Sequence, residues 1–82
     1  MYRIRIENLE ELKEGKTITY LSELTGVPRT YLNSILSGKI LIEEDVIKKI
    51  LIPICKESFK LNEKLETYGI ETMIEHFFRR IA

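Results

Sequence analysis

Gly26 and Pro28 stand two residues apart between two short stretches of helical periodicity, and they leave the segment from Thr17 to Lys39 few ways to fold. Glycine enters the left-handed conformation of a helix C-terminus without steric cost, and proline suits the first turn of a following helix, where its missing N–H is no loss. Upstream, Thr17 is a good N-cap, because its hydroxyl accepts from an N–H left unpaired in the first turn, and Ile18, Leu21, Leu24 and Thr25 follow at helical spacing. Downstream, the spacing predicts a second helix from about Pro28, with Leu32, Ile35 and Leu36 as its apolar stripe, Tyr31 at the edge and Gly38 as the stop. Its opposite face carries Arg29, Thr30, Asn33, Ser34 and Ser37, hydrogen-bonding side chains with no carboxylate among them.

The chain has 82 residues, enough for one compact core, so residues 1–82 are expected to form a single domain with its function on the surface. Apolar residues make up 44% and charged residues 32%, which points to a globular protein rather than a disordered one. No run approaches the roughly 18 apolar residues of a membrane span, and the N-terminus lacks the apolar region of a signal peptide; a cytoplasmic location without membrane contact is the expectation. A single cysteine, Cys55, excludes an internal disulfide and reads as a small buried hydrophobe. With one Cys and one His the chain lacks the ligands of a Cys/His zinc site, and neither metal nor cofactor is expected. Formal net charge is zero, which argues against strong nonspecific nucleic-acid binding, yet residues 16–42 carry Lys16, Arg29 and Lys39 against Glu23 alone.

Residues 2–6, YRIRI, alternate at the period of a strand. They fit a short edge strand, an ordered lead-in to the first helix, or a basic arm whose Arg3 and Arg5 reach for phosphates; the structural lead-in is the favoured reading. Asn8 and Glu11 form a capping-box pattern for a first helix ending at Gly15, with Leu9 and Leu12 buried and Glu7, Glu10, Glu11 and Glu14 on a solvated face. Glu43, Glu44 and Asp45 suit the positive end of a further helix, in which Val46, Ile47, Ile50, Leu51, Ile54 and Cys55 line one side. Pro53 predicts a kink or a break in that helix near 51–52. Beyond it, Phe59, Leu61 and Leu65 are candidate buried positions, and Tyr68-Gly69 reads as a turn. The spacing of Ile70, Met73, Ile74, Phe77, Phe78 and Ile81 predicts an amphipathic helix over 70–81, supported by a Glu75–Arg79 pair, with His76 facing solvent. That helix serves either core packing or dimerisation, with Met73, Ile74, Phe77, Phe78 and Ile81 as the candidate interface.

No catalytic constellation is visible: the chain has no glycine-rich phosphate loop, no nucleophile beside a plausible base, and no carboxylate pair isolated among apolar residues, so an enzyme is not expected. Two helices held at a fixed angle by a tight turn can instead present the second to a major groove about 12 Å wide. Leu21, Val27, Leu32 and Ile35 would form the hinge, and small Ser22 would allow close approach. Arg29, Thr30, Asn33 and Ser34 would then meet base edges, since Arg pairs with guanine, Asn with adenine, and Thr or Ser with either. Thr17, Thr19, Tyr20, Ser37 and Lys39, near helix ends, are the candidate phosphate contacts.

The segment LSELTGVPRTYLNSILSGK resembles the lambda-repressor/Cro-like, XRE-type helix-turn-helix regulators of phages and bacteria, through Leu21, Ser22, Gly26, Val27, Leu32, Ile35, Gly38 and Lys39; the likeness extends over about residues 3–51. It implies an all-α domain of about five helices, here with the amphipathic C-terminal helix added, and base reading by Arg29, Thr30 and Ser34 with Asn33 adjacent. Phosphate contact is implied near Thr19, Ser37 and Lys39. The resemblance further implies a homodimer on double-stranded DNA with a pseudo-palindromic operator, and so a repressor of a phage or mobile element. Leu24 sits where the family usually has a polar residue, Pro28 replaces the usual Ser/Thr cap, and acids at 43–45 follow a loop that often nears the backbone. The acids count against phosphate contact by that loop, and Leu24 with the neutral charge keeps open a second reading: a protein-binding module on the same scaffold, such as an antirepressor or a phage-encoded inhibitor of a host protein.

Overall fold

The computed structural model describes residues 1–82. A short strand β1 (Tyr2–Ile4) leads through one 3-10 turn (Ile6–Asn8) into helices α1 (Leu9–Lys13), α2 (Ile18–Thr25), α3 (Arg29–Leu36), α4 (Glu44–Glu57), α5 (Phe59–Tyr68) and α6 (Ile70–Phe77), and a second strand β2 (Phe78–Arg80) closes the chain. The fold is all-α apart from this two-stranded sheet. None of its helices is long and apolar enough to cross a membrane.

Eighteen buried apolar residues form one cluster, to which α1 gives Leu12, α2 Leu21, α3 Leu32, Ile35 and Leu36, and α4 Ile47, Ile50, Leu51, Ile54 and Cys55. Helix α4 runs through the middle of this set. It continues unbroken past Pro53, so of the two expectations there, a kink or a break, the break does not occur. The missing N–H deprives the Lys49 carbonyl of a helical partner, but that residue is exposed and the core face of the helix is spared. Burial pushes the Cys55 thiol up to about 11, with the Glu14 charge a smaller cause, so the thiol stays protonated and packs as a hydrophobe.

Helices α4 and α5 are joined by one residue. Ser58 ends α4 through its N–H to the Ile54 carbonyl (3.1 Å) and begins α5 by accepting the Leu61 N–H on Oγ (3.1 Å). Its side chain is the sole polar one in the buried set. Ser58→Ala is expected to lose about 1 kcal/mol of stability through this cap. A urea midpoint that does not move would contradict the assignment. Leu61 is buried and Leu65 partly so, but Phe59 is 86% exposed, against the expectation. The reason is angular, since Leu61 and Leu65 lie one turn apart on one face and a residue two before Leu61 points away.

The C-terminal segment also differs from its reading. The helix over 70–81 stops at Phe77, and the Phe78 backbone turns extended (φ −133°, ψ 148°) to pair antiparallel with β1, in the register Tyr2↔Arg80, Arg3↔Arg79 and Ile4↔Phe78. Phe77 fills the core from the last turn of α6, and Phe78 fills it from the strand beside Ile4. Arg79 is thus carried away from Glu75 and lies 3.7 Å from Glu7. Met73, Ile74, Phe77 and Phe78 are all within 2% of full burial in their own chain, so of the five candidate interface residues only Ile81 presents surface to a second copy. On its other side β1 exchanges two backbone bonds between Tyr2 and Ile42, at 2.8 and 2.9 Å, which fixes the link after α3. Residues 2–4 are therefore a paired strand, and not a free arm.

The capping box does not form. Asn8 has φ −110° and ψ 9°, away from the extended N-cap conformation, and its Nδ2 donates to the His76 carbonyl (2.7 Å). Glu11 is half-buried rather than solvated, and it accepts from His76 Nε2 (2.7 Å) and Lys64 Nζ (2.9 Å), tying α1 to α5 and α6. His76 is exposed but not unpartnered. The hydrogen bond from His76 is the main cause holding the Glu11 carboxyl below its usual range; burial opposes it and Lys64 adds to it. A carboxyl depressed in the folded state contributes stability above its unfolded pKa and loses it as pH falls through its folded pKa. Glu11→Gln is accordingly expected to flatten the fall of Tm below about pH 4.5, the ordinary carboxylate range, while costing at most about 1 kcal/mol near neutrality. Identical acid limbs for the two proteins would refute this role.

Candidate nucleic-acid interface

The α2–turn–α3 unit is built by short-range bonds. Thr17 Oγ1 accepts the Tyr20 N–H (3.1 Å) and starts α2, and Gly26, at φ 76°, closes it with its N–H on the Ser22 carbonyl (2.9 Å). A side chain at Gly26 would be strained by that φ even though the space around it is open. Two hydroxyls lock the turn. Ser22 Oγ donates to the Val27 carbonyl (2.6 Å), while Thr25 Oγ1 donates to the Leu21 carbonyl (2.8 Å) and accepts the Val27 N–H (3.2 Å). Sequence reasoning assigned Ser22 only its small size and missed Thr25 here; the signal was the habit of Ser and Thr near helix ends of bonding local backbone. Leu21, Val27, Leu32 and Ile35 are all buried at the hinge, as expected. Pro28 sits one position earlier than predicted, at the N-cap of α3 with ψ 141°, and no side chain caps that helix.

Helix α3 has eight residues, and an α-helix about 10–12 Å across with its side chains fits a major groove about 12 Å wide. Arg29, Thr30 and Asn33 are exposed and, with Ile18 of α2, line one open concavity. Ser34 does not line it; it is half-buried, and its carbonyl accepts from the Lys39 N–H (3.0 Å) and Ser37 Oγ (3.3 Å). Arg29 Nη1 donates to Thr19 Oγ1 (3.2 Å), so a residue expected to touch phosphate orients one expected to touch bases. A guanidinium has five N–H donors, and this bond leaves four for a guanine edge. Thr17, Thr19, Ser37 and Lys39 are exposed around these residues. Gly38, at φ 79°, turns the chain out of α3 beside Ile4 and Ile6.

Tyr20 departs from the other candidate phosphate contacts. Its hydroxyl donates to Glu57 Oε1, and that bond is the main cause raising its pKa. Lys16 Nζ lies 5.7 Å from its ring centroid. With its proton given to a carboxylate, the hydroxyl has none to offer a phosphate in this conformation. Leu24, the residue that most favoured a protein-binding surface, is partly buried against the core. The acids at 43–45 open α4: Asp45 accepts the Val46 N–H (3.0 Å), and Glu44 pairs with Lys48 (3.3 Å) and accepts from the Tyr2 hydroxyl (3.4 Å).

A family model described as helix-turn-helix matches residues 5–52, more than half of the chain. The chain belongs to the helix-turn-helix family. The match covers α1 through Ile52 of α4 and includes the whole α2–turn–α3 unit, in line with the XRE-type pattern read from Leu21 to Lys39. No curated protein and no solved structure matches the chain. As a helix-turn-helix protein it falls among DNA-binding regulators, and α3 occupies the place of the recognition helix. Helices α5 and α6 and strand β2 of this helix-turn-helix protein lie outside the match.

Proposed function

We propose that the protein is a sequence-specific, double-stranded-DNA-binding transcriptional regulator of the cytoplasm, a phage or mobile-element repressor that reads the major groove with α3. The observation that carries this is the exposed, carboxylate-free polar face of α3, where Arg29, Thr30 and Asn33 converge on one concavity. Arg29, Thr30, Asn33 and Ser34 meet base edges, and Thr17, Thr19, Ser37 and Lys39 fix register on phosphates, with Tyr20 joining only if Glu57 releases its hydroxyl. One recognition helix on a chain of zero net charge supplies modest affinity, so the working unit is a homodimer on a pseudo-palindromic operator.

Selection of bound sites from random duplex DNA, followed by a salt titration on the winner, tests this reading. A consensus with dyad symmetry is the expected result. No enrichment at any salt concentration would overturn it and turn attention to a protein partner, a reading that Leu24, packed against the core, no longer favours.

A further inference from the structure

We infer that the outer face of the β1–β2 sheet is a second phosphate-gripping surface, in which Arg3 and Arg79 hold the backbone of duplex DNA beyond the reach of α3. The inference rests on the DNA-binding reading above. Its starting point is the register, which sets Arg3 directly opposite Arg79. Ile4 and Phe78 point into the core, so the pleat turns Arg3 and Arg79 outward together, and both are exposed. Like charges directly opposite on adjacent strands are destabilising. The neighbouring compensation is small: Glu7 is shared between Arg79 (3.7 Å) and Arg5 (3.9 Å), and Arg3 makes no ion pair.

Guarding a strand edge against aggregation does not explain the pair. That device can account for Arg79, on the edge strand β2, but not for a second arginine placed opposite it on β1, which is bonded to β2 on one side and, at Tyr2, to Ile42 on the other. What resolves two facing guanidinium groups is an anion with several oxygens in a row, which a phosphodiester backbone supplies and which arginine forks match in bidentate geometry. The core-facing Ile4 lies beside Gly38, so β1 adjoins the end of α3 where Ser37 and Lys39 stand, while Arg3, next in the strand, projects from its opposite face. In a chain with no net charge, affinity for DNA must come from local clusters of this kind.

The experiment compares wild type, R3Q/R79Q and R3K/R79K on the selected operator duplex across a salt series, with circular dichroism melting of each protein. The expected result is a slope of log K against log salt shallower by about 2 in R3Q/R79Q, at roughly 0.9 per lost phosphate contact. Preference among operator variants should be unchanged, melting should be no lower, and the lysine pair should restore the slope. An unchanged slope in a folded R3Q/R79Q protein would overturn the inference and leave the α3 reading intact. An unchanged slope with Arg3/Arg79-dependent retention on immobilised polyglutamate would overturn it in favour of an acidic protein segment. If wild type binds no duplex at all, both readings fall.

Discussion

Phe77→Ala is expected to cost about 3–5 kcal/mol of stability, the range for removing a fully buried phenylalanine. Phe77 has no exposed surface, and its ring stands edge-on to His76 with centroids 4.7 Å apart. Its carbonyl also accepts the Arg5 N–H at 2.8 Å, so the backbone that leaves α6 is anchored at the same residue. For a domain of this size such a loss lowers Tm by roughly 12–40 °C, a large part of a total stability of about 5–15 kcal/mol. Thermal and urea unfolding of the variant measure it directly. A cost below about 1 kcal/mol would mean that the aromatic side of α6 is not part of the monomer core, and would return Phe77 to the role of a dimer anchor.

Arg29→Ala is the second large effect, on binding rather than folding. The side chain is exposed and its only partner is Thr19 Oγ1, so the fold should be indifferent to its removal. Affinity for the selected operator should fall by about 1–3 kcal/mol, with selectivity relaxed at one base position. Lys39→Ala provides the contrast, weakening binding to all sequences alike and lowering the salt slope by about 1. Operator binding by Arg29→Ala with unchanged affinity and unchanged base preference would remove Arg29 from the reading face.

Features of the fold that depend on residues close in sequence were legible. Thr17, Gly26 and Gly38 mark helix ends through bonds and backbone angles spanning three or four residues, and each stands where its chemistry placed it. Leu21, Leu32 and Ile35 could be assigned to the core because helical period alone sorts them onto one face. Phe59, Pro53 and Pro28 were misread for local reasons, but the other misread positions share a distant partner. The run Phe78–Arg80 continues a helical pattern and equally suits a strand, and what decides between them is an edge offered by Tyr2–Ile4 at the other end of the chain. Asn8 resembled a cap until the His76 carbonyl, 68 residues on, claimed its amide. Tyr20 looked free to meet phosphate, but Glu57 lies 37 residues beyond its view. In the candidate interface, residue types were readable, whereas the orienting bond from Arg29 to Thr19 needed the angle between two helices.

The pairing of Tyr2 with Arg80 has a kinetic meaning as well. It closes a loop of nearly the whole chain, and for a flexible segment of that length the closure entropy is about 4 kcal/mol before any contact repays it. Contacts so far apart in sequence form late and slow the overall rate. The α2–turn–α3 unit, held by bonds of short range, can therefore take shape early, while the buried face of Ile4 and Phe78 is sealed only when residues 78–80 arrive. During synthesis on the ribosome the α2–turn–α3 unit would be present before the β1–β2 clasp that makes it durable.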